Sequence, residues 1–369
     1  MQLPAHTNTS DGLPQSMVPA FGLINDELWQ VKKLVNEQLA GCSKSVRPLL
    51  EHLNTQGGKM IRPGLVLLSY QAVRAPLDAN NVRDKPSNAR KHLTGRDALR
   101  EEKMQNNISN TQYEAIRIAA TVEIIHNATL LHDDVIDEGQ RRRGLPTVNS
   151  LWGNESAVLL GDLLLSKVFK MCADLEPRFQ KIIAAAATRT CEGELRQIIQ
   201  RRNWQLSESE YIDIITEKSA AFFSSCCSLG GLLANASETE VRLLTCFGLN
   251  VGIAFQITDD LLDIIGDESK TGKTSGSDVD KNKLTLAVIH LLRAVDEGEK
   301  SAVKGKVNSR WENKEALAEM LRRYGSLEYA RSRAQQFVTK AIASLTGLKE
   351  SDAKEALIET AKFIGCRAI

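Results

Sequence analysis

Apolar residues recur at helical spacing along almost the whole of this 369-residue chain, and alternating strand patterns bounded by hairpin turns are missing. This period predicts an all-α protein. Helices are expected at about residues 24–40, 44–55, 59–75, 111–138, 154–173, 178–200, 208–233, 238–265, 282–296, 312–323, 326–346 and 351–364. Most of these are long for globular helices, which favours a bundle packed around a central cavity.

No Pro-rich or Gly-rich linker divides the chain into separate units. We therefore expect one domain over residues 21–369, preceded by a mobile N-terminal leader over residues 1–20. The stretch 74–107 is polar, charged and rich in Asn, and it is predicted to be a surface loop inserted in that domain.

The overall charge is close to balance, with 47 basic and 46 acidic side chains. Nucleic acid is therefore not an expected partner, and any anion has to be bound by a local cluster. No stretch approaches the roughly 18 apolar residues of a membrane span, and the N-terminus resembles no targeting segment, so we expect a cytoplasmic protein. The seven cysteines have no paired spacing and are expected to be small buried hydrophobic residues.

Two acidic clusters share one spacing, in "LLHDDVIDEG" and in "QITDDLLDIIGD". Residues four apart on a helix differ by about 40° in direction, so Asp133 lies over Asp137 and Asp259 over Asp263. Like charges so placed repel, and either a basic side chain or a hard divalent cation has to offset them. Oxygen-only ligands favour Mg²⁺, which binds through one or two carboxylates together with substrate phosphates. An exposed helix face paired with lysines and arginines is the alternative.

Three arginines follow the first cluster, and Gly144 and Pro146 come directly after them. We expect Arg141, Arg142 and Arg143 to lie on the loop that leaves the helix. The planar fork of an arginine suits phosphate oxygens, although an ordinary solvated charge run is also possible.

Further basic residues occur in similar company. The stretch "QGGKMIRPG" places Lys59 and Arg62 at a predicted helix start, where free amides and the helix dipole favour an anion. Lys218 stands among small and aromatic residues, and Lys273 and Lys283 follow the second acidic cluster. The GGK stretch lacks the Walker spacing, so nucleotide triphosphate binding is not indicated.

Five stretches together resemble one family, the trans-isoprenyl diphosphate synthases or polyprenyl synthetases. In order they are "GGKMIRP", "HNATLLHDDVIDEGQRRRG", "GNESAVLLGDLLLS", "EKSAAFF" and "FQITDDLLDIIGD". The resemblance implies an isoprenoid synthase-type helical bundle and a homodimer. It also implies Mg²⁺-dependent condensation of isopentenyl diphosphate with an allylic diphosphate by ionisation, condensation and elimination, with three Mg²⁺ ions bound together with diphosphate in each active site.

The family pattern gives each site residue an implied role. The metal ligands and catalytic acids are Asp133, Asp137, Asp259 and Asp263, with Lys218 as a further catalytic residue. The allylic substrate is bound by Arg142, Lys218, Lys273 and Lys283 with Gln256, and Ser219 stands where the family commonly has Thr. The diphosphate of isopentenyl diphosphate is bound by Lys59, Arg62, His126 and Arg143.

Product length in this family depends on the residues just before the first aspartate motif. Here they are Ala128 and Thr129, both small, which resembles the long-chain polyprenyl diphosphate synthases. Three alternatives stay open: a geranylgeranyl or farnesyl diphosphate synthase, a class I terpene cyclase, and a non-catalytic regulatory subunit of a heteromeric synthase. The sequence leaves open the chain length, the allylic primer and the downstream pathway.

Overall fold

The computed structural model describes residues 18–55, 58–74, 109–265, 283–308 and 314–366, and most of them are helical. The predicted all-α class is therefore confirmed. In chain order the helices are α1 (Val18–Phe21), α2 (Asn25–Ala40), α3 (Arg47–Thr55), α4 (Ile61–Val73), α5 (Asn110–Ile136), α6 (Val148–Trp152), α7 (Asn154–Cys172), α8 (Pro177–Ile199), α9 (Glu208–Ile215), α10 (Ala221–Leu233), α11 (Glu238–Ile265), α12 (Leu286–Ala294), α13 (Glu297–Asn308), α14 (Lys314–Arg323), α15 (Ser326–Ser344) and α16 (Asp352–Cys366). Short 3₁₀ turns cover Gly22–Ile24 and Leu345–Gly347.

Local sequence signals begin several of these helices. Ser109 caps α5, because its hydroxyl accepts a hydrogen bond from the backbone N–H of Gln112 at 3.2 Å. Ser207 and Glu210 form a reciprocal capping box at the start of α9. Pro177 opens α8, where its missing N–H has no helical partner to lose.

The core lies where α4, α5, α10, α11 and α15 pack together. Helix α11 packs on α10 and α15, α10 packs on α4, and α5 packs on α4 and α7. Phe223 from α10 and Phe247 from α11 are fully buried among them. This packing fixes the position of α5 and α11, the helices that end in the two aspartate motifs.

Two observations concern the N-terminal segment and the outer helices. The leader was expected over residues 1–20, but α1 begins at Val18, and the buried ring of Phe21 packs on Gly64. Helix α13 was not predicted, because its apolar stripe consists of little more than Val303 and Val307. Residues 1–17, and residues 75–107 of the predicted loop 74–107, lie outside the described part of the chain.

The predicted continuous helix 208–233 is interrupted by a π-helical turn at Thr216–Ala220. Glycines from two neighbouring helices contact this turn. A Cβ on Gly193 would lie 2.2 Å from the backbone N of Lys218, and one on Gly252 would lie 2.5 Å from Cα of Ala220. The turn is thus held between α8 and α11 by close backbone contact, a geometry that helical periodicity does not reveal. Such π turns often mark functional sites.

The arginines after α5 form a small hairpin where a loop was predicted. Strand β1 (Arg141–Arg142) pairs antiparallel with β2 (Leu145–Pro146). The two residues between the strands, Arg143 and Gly144, have φ values of 52° and 79°. Positive φ at both positions matches the right-handed twist of a two-residue hairpin. The expectation that strand hairpins are missing was wrong at this one place among the described residues.

The cysteines differ from the expectation as well. Cys226 and Cys227 are buried, but Cys191, Cys246 and Cys366 are exposed, and the other two are partly exposed. One described helix, α11, passes the length and hydropathy test for a membrane span, with half of the tested window buried in the protein. Core helices pass the same test, so this is weak support for a span.

Candidate active site

Carboxylates of both aspartate motifs affect the pKa values of the same two basic side chains. Burial lowers the pKa of Arg62, and the carboxylates of Asp259 and Asp133 oppose that effect. Burial also acts on Arg142, but Asp134, Asp133 and Asp259 outweigh it, so that its pKa is raised. Coulombic effects fall with distance, so acids of α5 and of α11 both lie near enough to these two guanidinium groups to affect their pKa values.

Asp133 is partly exposed and lies among other charges at the end of α5. Burial raises the pKa of Asp133 from 3.8 to about 6; Lys218 opposes this shift, and Glu194 and Asp137 add to it. A carboxyl group in this state is partly protonated near pH 6. A cation placed beside it would favour the ionised form.

Asp137 ends α5 and meets a lysine from a distant part of the chain. Lys283 is 4% exposed, and its Nζ lies 2.9 Å from both carboxylate oxygens of Asp137. Arg201, from the turn after α8, approaches the same acid, with Nη2 3.5 Å from Oδ1. Two basic side chains therefore face the last acid of the first motif.

Lys218 lies in the middle of the π turn, and its ammonium group is held on α8. Its Nζ donates a 2.7 Å hydrogen bond to Oε1 of Gln197 and forms an ion pair with Glu194. Burial and Lys283 act to lower the pKa of Lys218, but Glu194 and Asp133 outweigh them, and the pKa is raised. Lys218 is therefore a fixed positive charge beside the first motif.

The middle acid of the first motif holds Arg142. Nε and Nη2 of Arg142 lie 2.8 and 2.7 Å from Oδ1 of Asp134, which is buried. The backbone carbonyl of Asp134 also accepts a hydrogen bond from the side-chain amide of Asn149 at 3.3 Å. These contacts fix the hairpin and its arginine against the end of α5.

The middle acid of the second motif is part of a hydrogen-bond chain. Ser219 Oγ donates to Oε1 of Gln256 at 2.6 Å, and Nε2 of Gln256 donates to Oδ1 of Asp260 at 2.7 Å. The hydroxyl of Tyr211 donates to the other oxygen of Asp260 at 2.6 Å. The chain thus joins the π turn, α9 and the second motif.

Arg62 stacks on aromatic rings of the "EKSAAFF" stretch. Its guanidinium carbon lies 4.8 Å from the ring centre of Phe223 and 5.8 Å from that of Phe222, within cation–π range. Its buried Nε has no hydrogen-bond partner among the described residues. Burial raises the pKa of Glu123 on α5, which faces Arg62 and Arg143, and these two arginines lower it. A donor without an acceptor is suited to a ligand that brings one.

The remaining predicted residues are placed as follows. Lys59 lies two residues before α4, His126 is on α5, and Asp263 lies one turn after Asp259 on α11. Ala128 is fully buried and Thr129 is partly exposed, with its hydroxyl bonded to the carbonyl of His126 at 2.8 Å. Lys273 lies outside the described residues.

Five residues of this region were missed from the sequence. Glu123 could have been noticed, because it is an acid inside an otherwise apolar stretch three residues before His126. The others carry no local signal, since their contacts come from the turn after α8 and from helix packing. They are Glu194, Gln197, Arg201 and Tyr211.

The ligand chemistry of the site fits a hard cation that a substrate helps to hold. Within the described ranges, no group of three His, Cys, Asp or Glu side chains is arranged to hold a metal ion. Oxygen ligands such as Asp133 and Asp259 suit Mg²⁺ or Ca²⁺, and Mg²⁺ normally takes only one or two carboxylates with substrate phosphates. Partly exposed acids beside buried basic donors can therefore bind a metal-complexed diphosphate.

Comparison with known proteins agrees with this chemistry. The family model described as polyprenyl synthetase matches residues 43–324. A short chain isoprenyl diphosphate synthase of Methanothermobacter thermautotrophicus is 32% identical over 353 residues, which is 92% of this chain and 98% of that protein. The octaprenyl diphosphate synthase of Escherichia coli is 31% identical over 332 residues, which is 89% of this chain and 92% of that protein.

A solved structure extends the comparison to the fold. The polyprenyl synthase of Caulobacter crescentus, complexed with calcium and isoprenyl diphosphate, superposes with a TM-score of 0.80 at 27% identity, covering 95% of this chain and 97% of that one. Since the family match spans most of the chain and the relatives align over almost their whole lengths, the chain belongs to the polyprenyl synthetase family of trans-isoprenyl diphosphate synthases and is a prenyltransferase.

Proposed function

We propose that this chain condenses isopentenyl diphosphate with an allylic diphosphate, in a Mg²⁺-dependent reaction that repeats until a long-chain polyprenyl diphosphate is made. The observation that carries the proposal is the first acidic motif, whose Asp134 and Asp137 are paired with the basic side chains of Arg142 and Lys283 at 2.7 and 2.9 Å. Asp133 and Asp259 both act to raise the pKa values of Arg62 and Arg142. A diphosphate that brings a cation complements both signs of charge at once.

The basic residues are divided between two substrates in this proposal. The allylic diphosphate is bound by Arg142, Lys218, Lys273 and Lys283, with Ser219 and Gln256 near its reacting carbon. The diphosphate of isopentenyl diphosphate is bound by Lys59, Arg62, His126 and Arg143. The unpartnered Nε of Arg62 supports the second assignment, because a phosphate oxygen would supply its missing acceptor.

The acids Asp133, Asp137, Asp259 and Asp263 would hold Mg²⁺, three ions per site with the diphosphate. Bound Mg²⁺ supplies positive charge that stabilises the leaving diphosphate. The related Caulobacter crescentus structure was obtained with calcium and isoprenyl diphosphate, which supports a divalent cation.

The chain's own residues then promote three bond changes. The allylic C–O bond breaks, and its electron pair leaves with the diphosphate toward the positive side chains of Arg142, Lys218 and Lys283. The double bond of isopentenyl diphosphate, held nearby, attacks the resulting cation and forms the new C–C bond. Loss of a proton from the isopentenyl unit, to the diphosphate released in the first step, restores an allylic diphosphate that is five carbons longer. The buried setting excludes water, which would otherwise capture the cation.

We place the growing tail beside Ala128 and Thr129. Neither side chain is aromatic, so neither of these two residues closes the space at this level of α5. The proposal of a long product depends on this point. The relatives themselves include short-chain and octaprenyl synthases.

A homodimer and a cytoplasmic location are also part of the proposal. Large apolar side chains are exposed on α7 and α8, with Leu159 67%, Phe169 73%, Leu195 59% and Ile199 76% exposed. Exposed apolar surface of this kind suits a second copy of the chain.

The deciding experiment is a product assay with purified protein. Labelled isopentenyl diphosphate is incubated with dimethylallyl, geranyl, farnesyl or geranylgeranyl diphosphate, with Mg²⁺ or with EDTA, and the dephosphorylated products are sized by chromatography. We expect products longer than C20 with Mg²⁺ and none with EDTA. Asp133→Asn should abolish the products, and Asp213→Asn, at an exposed acid of α9, should not.

Other outcomes point to the alternatives. Products that stop at C15 or C20 indicate a short-chain synthase. A cyclic hydrocarbon made from the allylic substrate alone indicates a terpene cyclase. No product with any primer, together with activity restored by a second subunit, indicates a regulatory role.

A further inference from the structure

Arg201 reaches the candidate active site from the turn that follows α8. None of the family motifs contains it. Its Nη2 lies 3.5 Å from Oδ1 of Asp137, and its side chain is only 25% exposed. The next residue, Arg202, has φ of 61° and is exposed, so two adjacent arginines of this turn have opposite environments.

The guanidinium group of Arg201 has donors without acceptors. Its Nε and Nη2 are buried, and neither has a hydrogen-bond partner among the described residues. Buried N–H groups of native proteins almost always have an acceptor, and the exceptions often belong to sites that are filled by a ligand or by water. The position of Arg201 beside Asp137 makes a ligand of the active site the natural acceptor.

The neighbouring charges do not account for Arg201. Lys283 lies 2.9 Å from both oxygens of Asp137, so this acid already has a basic partner. Lys218 is paired with Glu194, and Arg142 is paired with Asp134. At 3.5 Å, Arg201 has the longest ion-pair distance of these four basic side chains, and it faces the place where an anion is expected.

The turn holds Arg201 in position before any ligand arrives. The side chain of Asn203 donates to Oε1 of Gln200 at 2.5 Å and accepts from the backbone N–H of Gln205 at 3.1 Å. These contacts on both sides of Arg201 limit the motion of its backbone. Little conformational freedom is then lost on binding, which favours affinity.

We propose that Arg201 binds the diphosphate of the allylic substrate, as one more basic residue of that subsite beside Lys218 and Lys283. The inference rests on the proposed function. The planar guanidinium matches two phosphate oxygens and satisfies donors that the protein leaves unpaired.

The test compares Arg201→Gln with Arg202→Gln, which removes the same charge from the adjacent exposed position. Steady-state kinetics give KM for each substrate, and calorimetry gives Kd for inorganic pyrophosphate with Mg²⁺. We expect Arg201→Gln to raise KM for the allylic substrate and Kd for pyrophosphate by about tenfold or more, with KM for isopentenyl diphosphate changed less than about twofold. Arg202→Gln should match the wild type, and Arg201→Lys should recover part of the loss.

The inference is overturned if the two glutamine variants behave alike, or if Arg201→Gln raises KM for both substrates by the same factor. A role limited to orienting Asp137 would instead alter the Mg²⁺ dependence and leave pyrophosphate affinity at saturating Mg²⁺ unchanged, which also overturns it. A wild-type protein that neither turns over the substrates nor binds pyrophosphate refutes the proposed function itself. Thermal melting of each variant shows whether it is folded.

Discussion

Tyr211 donates a 2.6 Å hydrogen bond to Asp260, and both side chains are buried. The second oxygen of Asp260 accepts from Gln256, so the acid is fixed from two sides. In the first motif Asp134 is likewise buried and paired, there with Arg142. The middle acid of each motif therefore holds neighbouring polar side chains in place, whereas the flanking acid Asp137 pairs with Lys283.

Replacing Tyr211 by Phe should lower both turnover and stability. Loss of the hydroxyl leaves a buried carboxylate oxygen short of a donor, at a cost of about 1–3 kcal/mol in the free energy of unfolding. Because Gln256 and the second motif lose their fixed orientation, we expect kcat to fall about tenfold. Urea unfolding and steady-state kinetics measure the two effects.

Tyr324→Phe is the matched control, since Tyr324 also donates to a carboxylate, that of Glu299, on the outer helices. Its kcat should equal that of the wild type. An equal loss of kcat in both variants would show that Tyr211 acts only through general stability.

The aspartate motifs could be predicted because they repeat one chemical pattern within short stretches. Their partners could not, because the contacts join distant parts of the chain. Lys283 lies 146 positions from Asp137, and Tyr211 lies 49 positions from Asp260. No periodicity in the sequence carries such pairings.

Local geometry explains the other differences between expectation and structure. The π turn has the same apolar pattern as an α-helix, so only its contacts with Gly193 and Gly252 distinguish it. The hairpin after α5 needs positive φ at Arg143, a residue type that does not favour it. The all-α class depends on the apolar period alone, and it was predicted correctly.

Gly193→Ala should displace Lys218. The new methyl group would lie 2.2 Å from the backbone N of Lys218, and backbone cannot move aside as a flexible side chain can. We expect a loss of about 1–3 kcal/mol in the free energy of unfolding, and a lower kcat because the ammonium group moves with the π turn. Differential scanning calorimetry and the product assay measure both.

Gly305→Ala serves as the opposite control. A Cβ on Gly305 meets nothing within 4 Å, and the residue is exposed in α13. Alanine has a higher helix propensity than glycine. The free energy of unfolding of this variant should therefore rise by about 0.5–1 kcal/mol, and its kcat should not change. Destabilisation by both substitutions would contradict the packing argument.

Ala128→Phe should shorten the product. A phenyl ring at this level of α5 would occupy the space assigned to the growing tail. Ala128 is fully buried and Thr129 is partly exposed, so Thr129→Phe is a second variant that is easier to accommodate. Chromatography of the dephosphorylated products measures chain length, and unchanged length in both folded variants would contradict the placement of the tail.

Charges on the exposed faces of α7 and α8 should prevent dimer formation. Leu159→Asp with Ile199→Asp places two acids on the proposed interface, where burial of unpaired charge is unfavourable. We expect a monomer by light scattering coupled to size exclusion. Trp29→Asp is the control, because Trp29 on α2 is also exposed, by 63%, and should leave the dimer intact. A wild-type monomer would refute the homodimer directly.

Asp133→Asn should stabilise the metal-free protein, with an effect that depends on pH. Burial raises the pKa of Asp133 from 3.8 to about 6, so the folded state binds this proton more tightly than the unfolded state. The penalty of the ionised carboxylate is absent below about pH 4, grows as pH rises toward 6 and is complete above that value. In EDTA at pH 8, we expect the free energy of unfolding of the asparagine variant to exceed that of the wild type by about 1–3 kcal/mol.

The difference between the two proteins should shrink as pH falls to about 4, because the wild-type carboxyl is then neutral in both states. Adding Mg²⁺ with pyrophosphate should reverse the order at pH 8, since ligand that binds only the folded wild type raises its stability. Urea unfolding across this pH range measures both trends. A constant difference at every pH would mean that Asp133 ionises with its ordinary pKa, which would contradict the electrostatic environment described for the end of α5.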